Sequence, residues 1–270
     1  MDNYFKEIKS LEKFGYYIIN AQNNINIEHD LIANKKLLLY FCSTNSTMDT
    51  AKLLAESGCQ NKSLVITEKQ QAGRGRLNRS WLSSTGGLYF TMILKPDIPI
   101  EKIFGINFLV SISLEKTLSK YYGIKASLKW PNDVLVDNKK IAGCLIQTQI
   151  HFENILYVNI GVGVNINNTI ESDEFLAISL KQLLNKNTGR VEFLKYFLNE
   201  FDDGLNNFNI SSILSKWKQV NSTIGKFVEV KTINNSYKGK ALDIDNNGSL
   251  IIELSNGDKE LIVFGDCFYL

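Results

Sequence analysis

LKWPNDVLVDNKKIAGCL, residues 128–145, has the form of strand, turn and returning strand. Pro131 has no backbone N–H to give to a ladder, so the strand carrying Leu128 and Trp130 ends or bulges there. Asn132 and Asp133 follow at a strand-to-turn position, where polar side chains can face a site. After a short hairpin, Lys140 stands just before Ile141, Ala142 and Gly143. The next run, ILYVNIGVGVNIN (155–167), is a glycine-rich strand that ends in asparagines. Upstream, KKLLLYF (35–41), SLVITEKQ (63–70) and LYFTMIL (88–94) are further apolar strands, the last preceded by the turn STGG. Helices alternate with these strands. Ser46 or Thr47 caps one that runs through Met48, Ala51, Leu54 and Ala55 to Gly58. A second spans about 103–122 and a short one lies near 174–185. EFLKYFLNEFDDGL (192–205) places Phe193, Phe197 and Phe201 four residues apart on one apolar face, and SSILSKWKQV (211–220) makes another helix. This mixture predicts an α+β fold, a mixed β-sheet backed by helices.

The texture changes near residue 220. FVEVKTI, SYKGKALDI, SLIIEL and KELIVFG are short alternating runs separated by NN, DNNG and SNGD, which are hairpin signals. Four or five short strands in about fifty residues predict a small barrel. Residues before 35 are polar and Asn-rich, and FKEIKSLEKFGYYII suits a short helix and then a strand.

Composition narrows the chemistry. The 270 residues are 44% hydrophobic and 21% charged, enough for one large domain or a domain with a small satellite. Thirty basic and 28 acidic residues leave a charge of +2, which argues against a dedicated polyanion binder. The four cysteines, Cys42, Cys59, Cys144 and Cys267, form no CxxC pair, so they read as reduced, mostly buried thiols. Only His29 and His151 are available to a His-based metal site or a Ser–His–Asp triad, and no motif frames either. The opening MDNYFKEIKS is charged and has no apolar core, so no secretory signal is expected, and no apolar run is long enough to span a bilayer.

Three stretches carry chemistry. In TEKQQAGRGRLNRSW (67–81), Gly73 and Gly75 alternate with Arg74 and Arg76, and Arg79 follows. Glycines let the backbone approach a ligand, and arginines supply planar donors for carboxylate or phosphate oxygens. The loop is neither a Walker P-loop nor a Rossmann turn. A solvated basic loop is the competing reading. In 128–145, Lys140 is placed to stabilise a phosphate or a developing oxyanion, against the alternative of an ordinary hairpin with solvent-facing lysines. In 159–167, Gly161 and Gly163 leave one face of a strand open for a ligand or a crowded sheet crossing.

STN (43–45), QQAGRGR with Arg79 and Trp81 (70–81), GGLYF (86–90), KWPND (129–133), KIAG (140–143) and GVGVN (161–165) occur in this order. The set resembles the biotin protein ligases over about residues 37–270. The resemblance implies a short N-terminal extension (1–36), a catalytic domain (37–219) and a C-terminal SH3-like barrel (220–270). It implies a cytoplasmic enzyme, monomeric or homodimeric, using biotin, ATP and Mg2+. Biotin and ATP would give biotinyl-5′-adenylate and pyrophosphate. The adenylate would then acylate one lysine of a biotin carboxyl carrier domain, such as that of acetyl-CoA carboxylase.

By motif position, the resemblance places Ser43, Thr44, Asn45 and Gln70 at biotin. Gly73, Arg74, Gly75 and Arg76 belong to the loop that orders over biotin and the adenylate, and Arg79 lies at the adenylate. Trp81 stacks near adenine, and Asn132 and Asn165 lie at the nucleotide. Asp133 falls at Mg2+. Lys140, catalytic together with Arg74 and Arg76, contacts the biotin carboxyl and the α-phosphate, and Gly143, Gly161 and Gly163 line the biotin slot. A lipoate ligase or octanoyl transferase shares the expected fold, but would lack GRGR together with KWPND. A DNA-binding repressor needs a helix-turn-helix module of about sixty residues, so no specific DNA binding and no membrane partner are expected.

Overall fold

The structure is a computed structural model that describes residues 3–21, 29–170 and 176–270. It divides into two compact units, Met1–Ile100 with Cys144–Ser172 and Ile178–Lys195, and Glu101–Gly143 with Asp173–Ala177 and Tyr196–Leu270.

In the first unit, α1 (Asn3–Ile8) and a 3-10 turn lead through Gly15 to β1 (Tyr17–Asn20), then α2 (His29–Asn34), β2 (Leu37–Phe41), α3 (Thr47–Glu56), β3 (Ser63–Thr67) and β4 (Leu88–Leu94). Every residue of β2, β3 and β4 is buried, the pattern of strands covered on both faces. β1, β2 and β3 run parallel, whereas β3 and β4 pair antiparallel. On one face, α3 lays Ala51, Leu54 and Ala55 on Leu37, Leu39, Phe41, Val65 and Ile93. Tyr40 points to the opposite face, where Phe5 stacks on it at 5.5 Å and Tyr4 meets it edge-on at 5.8 Å. Residues before 37 therefore contribute a strand and a packed helix to this sheet. The Ser46 hydroxyl caps α3 by accepting from the Met48 N–H, as its sequence position predicts.

The second unit opens with α4 (Phe104–Tyr122), which ends at left-handed Gly123. β5 (Ser127–Lys129) and β6 (Asp133–Val136) pair across Trp130–Asn132, so Lys129 lies directly opposite Asp133. β6 turns into β7 (Lys139–His151) through Asp137 and Asn138, both at positive φ (50° and 61°). Two left-handed residues define the hairpin turn that Asp and Asn tolerate best. β7 starts in the second unit and continues into the first, where β8 (Asn154–Val164) pairs antiparallel with β4. α5 (Leu180–Leu184) follows in the first unit, and α6 (Arg190–Asn206) buries Phe193, Phe197 and Phe201 completely.

α7 (Ile210–Val220) packs Trp217 edge-on against Phe108 of α4 at 5.4 Å. It leads to β9 (Phe227–Lys231), β10 (Ser236–Ile244), β11 (Leu250–Leu254), β12 (Lys259–Ile262) and β13 (Asp266–Tyr269). These form a separate antiparallel sheet in the order β12-β11-β10-β9-β13, with β12 and β13 as its edges. The sheet is consistent with an SH3-like module but does not close into a barrel. Buried Trp130 ties the KWPND segment to it, donating its indole N–H to the Gly248 carbonyl at 3.0 Å and its backbone N–H to Thr223 Oγ1 at 2.9 Å.

Candidate active site

The residues singled out above fall into two groups, one in each unit. In the first unit, Ser43, Thr44 and Asn45 leave β2 and run beside the segment after β3. Thr44 bridges Gln70, and the Asn45 carbonyl accepts from the Ala72 N–H at 2.9 Å. Gln70 is the hub: its Oε1 accepts from the Thr47 N–H at 2.8 Å and from the Thr47 hydroxyl at 3.1 Å, and its Nε2 donates to Ser83 at 2.8 Å. Thr91 Oγ1 adds a buried bond to Thr47 at 2.9 Å. Beside this network the buried Ser43 Oγ has no hydrogen-bond partner among the described residues. A buried hydroxyl left so costs about 1–3 kcal/mol, which a polar ligand would relieve.

The glycine-rich loop is itself a hairpin. Trp81 N–H donates to the Gly73 carbonyl (2.8 Å), Gly75 N–H to Arg79 (2.7 Å) and Arg79 N–H to Arg76 (2.9 Å). Its turn residues, Leu77 and Asn78, both have positive φ, 47° and 60°. Asn accepts that conformation, and Leu adopts it at a cost of about 1–2 kcal/mol. Gly73 must lack a side chain, since a Cβ there would lie 2.4 Å from the Trp81 carbonyl. Arg74 reaches Asp49 on the first turn of α3 at 2.6 Å, both side chains nearly half exposed.

On β8, Gly161 and Gly163 face α3 and the loop. A Cβ on Gly161 would meet Met48 Sδ at 2.6 Å, and one on Gly163 the Trp81 indole at 2.4 Å. The face that the sequence leaves open is thus filled by Met48 and Trp81, and Trp81 lies flush on the strand. Asn165 is buried and its side-chain oxygen accepts from Asn168 at 3.1 Å.

The second group sits on the β5–β6–β7 hairpins. Asp133 pairs in register with Lys129 on one side and with Gly143 on the other. Lys140 Nζ lies 2.6 Å from Asp133 Oδ1, with both side chains mostly buried (30% and 23% exposed). Its neighbour Lys139 is exposed. Asn132 is half-buried in the turn.

Two features escaped the sequence reading. Arg190, the first residue of α6, donates to both Glu68 carboxylate oxygens (2.8 and 2.7 Å) and to the Gly87 carbonyl. It lies 3.3 Å over the Tyr4 ring. Glu68 lies two residues before Gln70 in the 67–81 stretch, and its separation from Arg190 along the chain hides the pair. The second is Lys129, the first residue of KWPND, which pairs in register with Asp133. Its one signal was the three-residue Trp-Pro-Asn turn, which sets it opposite Asp133.

Residues 40–165 match the biotin/lipoate A/B protein ligase family, and residues 223–270 match the biotin protein ligase C-terminal domain. The chain is 30% identical over 271 residues to the bifunctional ligase/repressor BirA of Bacillus spizizenii, covering 94% of this chain and 82% of that protein. It is 26% identical to the biotin–[acetyl-CoA-carboxylase] ligase of Paracoccus denitrificans, covering 84% of this chain and 98% of that one. Among solved structures, the biotin protein ligase of Aquifex aeolicus in complex with biotin and ATP superposes with a TM-score of 0.72 at 26% identity, over 86% of this chain and 98% of that one.

Proposed function

This chain belongs to the biotin protein ligase family, and from that membership we propose how its residues carry the reaction. The enzyme is a biotin–[acetyl-CoA-carboxylase] ligase. It activates biotin with ATP as biotinyl-5′-AMP and transfers the biotinyl group to the lysine of a biotin carboxyl carrier domain. The observation that carries the residue assignment is the Lys140–Asp133 pair at the foot of the KIAG strand.

In the first step a biotin carboxylate oxygen attacks the α-phosphate, the bond to the β-phosphate breaks, and pyrophosphate leaves with the electron pair. Two anions must approach each other, so catalysis rests on positioning and positive charge. Lys140 offsets that charge at the carboxylate and α-phosphate. Arg74 and Arg76 bring further charge from the loop, Arg74 exchanging Asp49 for the ligand. Ser43, Thr44, Asn45 and Gln70 orient the biotin ring, Gly143, Gly161 and Gly163 admit it beside the strands, and Arg79, Trp81, Asn132 and Asn165 hold the nucleotide. In the second step the carrier lysine's amine attacks the acyl carbon and AMP departs. No protein nucleophile is needed.

Among the described residues no three metal-ligating side chains cluster. Mg2+ bound to nucleotides commonly takes one or two carboxylates and phosphate oxygens for the rest. Asp133 fits as the single carboxylate, and the ion would neutralise phosphate charge.

The division into a catalytic domain (37–219) and a C-terminal domain (220–270) is supported by the two matched segments. A cytoplasmic setting suits reduced thiols, and no helix among the described residues is long and apolar enough to cross a membrane. Sequence-specific DNA binding is not expected, because Tyr17–Asn20 is committed to the sheet and the net charge is only +2. A gel shift showing tight, salt-resistant binding to an operator would reverse this.

The deciding experiment incubates the chain with biotin, ATP, Mg2+ and a biotin carrier domain. A biotinyl mass increase on the carrier is expected. Labelling by lipoate or octanoate with none by biotin would overturn the assignment.

A further inference from the structure

Strand β8 is buried from Tyr157 to Val162, and one residue of that run, Asn159, carries an amide. Asn is depleted in strands, where apolar side chains pack without a polar group to satisfy. Asn159 is 1% exposed, and its side-chain oxygen has no hydrogen-bond partner among the described residues. A buried acceptor left in that state destabilises the fold, so its presence in the strand needs a reason. Strand alternation supplies the direction: Asn159, Gly161 and Gly163 share one face of β8. On that face Met48 stands over Gly161 and Trp81 over Gly163.

The neighbours bring this acceptor beside the polar network around Gln70. In the β4–β8 ladder Thr91 lies opposite Gly161, and Ile93 lies opposite Asn159. Thr91 donates to the Thr47 hydroxyl, which donates to Gln70 Oε1. The Gln70 network therefore reaches Gly161 from β4 and α3, while the Asn159 oxygen lies two residues along the same face. Over Gly161 stands the Met48 thioether, a flexible side chain that can yield its space. An amide and a polar network thus flank the bare backbone at Gly161. All of these residues belong to the first unit.

We propose that Asn159 selects the ring of the substrate: when Met48 gives way to biotin, the Asn159 oxygen accepts an N–H of the cyclic urea. The proposal rests on the ligase reading above and adds a specificity-determining residue to it. A cyclic urea offers one carbonyl and two N–H groups, so it can meet acceptors on two flanks. A dithiolane ring or a plain acyl chain has no donor, and either would leave the oxygen stranded in a dry site. A neutral hydrogen bond adds modestly to affinity, but a site built around a ligand N–H rejects analogues that lack it far more strongly. The role is one of binding and discrimination; no bond is made or broken at the urea.

Asn159→Val removes the amide and keeps a side chain suited to a buried strand. In the ligand-free chain it should raise the melting temperature, because the unpartnered acceptor is gone. It should also raise the KM for biotin about 10–100-fold, with kcat at saturating biotin little moved. A second arm varies the ligand and needs no stable variant. It uses the two cyclic carbamates of biotin, in which one ureido N–H at a time is replaced by oxygen. Calorimetry should show the unmodified chain binding at least one of them about 10–100-fold more weakly than biotin. For that carbamate the loss relative to biotin should shrink about tenfold in Asn159→Val, the signature of a direct contact. An unchanged KM, a lowered melting temperature, or carbamate losses equal in both proteins would make the amide a structural group and overturn the proposal. Both carbamates binding the unmodified chain as tightly as biotin would overturn it too. Absence of biotin binding by the unmodified chain would instead sink the ligase reading itself.

Discussion

Lys139 and Lys140 are chain neighbours with different surroundings, because successive strand side chains point to opposite faces. Lys139 is exposed, whereas Lys140 is drawn against Asp133. Lys140→Ala should therefore lower adenylate formation about 10²–10³-fold, and Lys139→Ala should change it little, with melting curves showing both folded. Equal losses would mean that the assigned role of Lys140 is wrong. Gly163 makes a second test. A Cβ there would sit 2.4 Å from the rigid Trp81 indole, so Gly163→Ala must push Trp81 off β8. Adenylate formation should fall while the fold survives, and Trp81 fluorescence should report the move; an unchanged spectrum would show that the indole does not need that seat. At Gly161 the obstructing atom is the flexible Met48 thioether, so Gly161→Ala should be milder.

Elements matter here through their ends. α3 begins at Ser46, whose hydroxyl satisfies the Met48 N–H, and its first turn carries Thr47, bonded to Gln70, and Asp49, bonded to Arg74. One helix N-terminus thus holds both the segment carrying Gln70 and the arginine loop. Ser46→Ala should cost about 1 kcal/mol of stability. The start of α6 does comparable work, since Arg190 clamps Glu68 and Gly87, which flank the loop. The pair is nearly buried, at 13% and 11% exposure. Removing one member strands the other charge, so Arg190→Ala should destabilise by about 3–5 kcal/mol, read as a lower urea midpoint at constant slope. A midpoint within error of the unmodified chain would show that Glu68 finds water instead.

For the molecule as a whole, several acids held out of water contribute to its response to alkali, among them buried Cys267 and half-buried Tyr269 of the C-terminal sheet. Burial pushes the Cys267 thiol up to about 12 and the Tyr269 phenol up to about 12. In the unfolded chain these groups release their protons near about 8.5 and about 10. The unfolded state thus loses protons first as pH rises. The stability these groups provide is whole below about pH 8.5, and it is lost progressively as pH climbs to about 12. The urea midpoint should fall across that interval, and Cys267→Ala should flatten its early part. A midpoint constant from pH 8 to 11 would contradict the desolvation of both groups. In the native chain at pH 8 a thiol reagent should label exposed Cys42 well before Cys59, Cys144 and Cys267.

Much of this was legible in the chain order alone. Ser46 before Met48, Ala51 and Leu54 spelled a capped helix, the Phe193–Phe197–Phe201 spacing a buried stripe, and DNNG and SNGD the turns of a C-terminal sheet. These signals are local: period 3.6, period 2 and the φ preferences of Asn and Gly act within a few residues. The family was legible too, since GRGR and KWPND in that order carry the resemblance that the matched family bears out. The partners of the motif residues were not. Arg74 finds Asp49, Lys140 finds Asp133 rather than solvent, Arg190 finds Glu68 across 122 positions, and Tyr17–Asn20 joins the sheet as β1. Met48 and Trp81 cover the glycines that appeared open. Each of these depends on strand register and on which helix crosses which face. Those are set by the packing of the whole core, and no short window of sequence contains them.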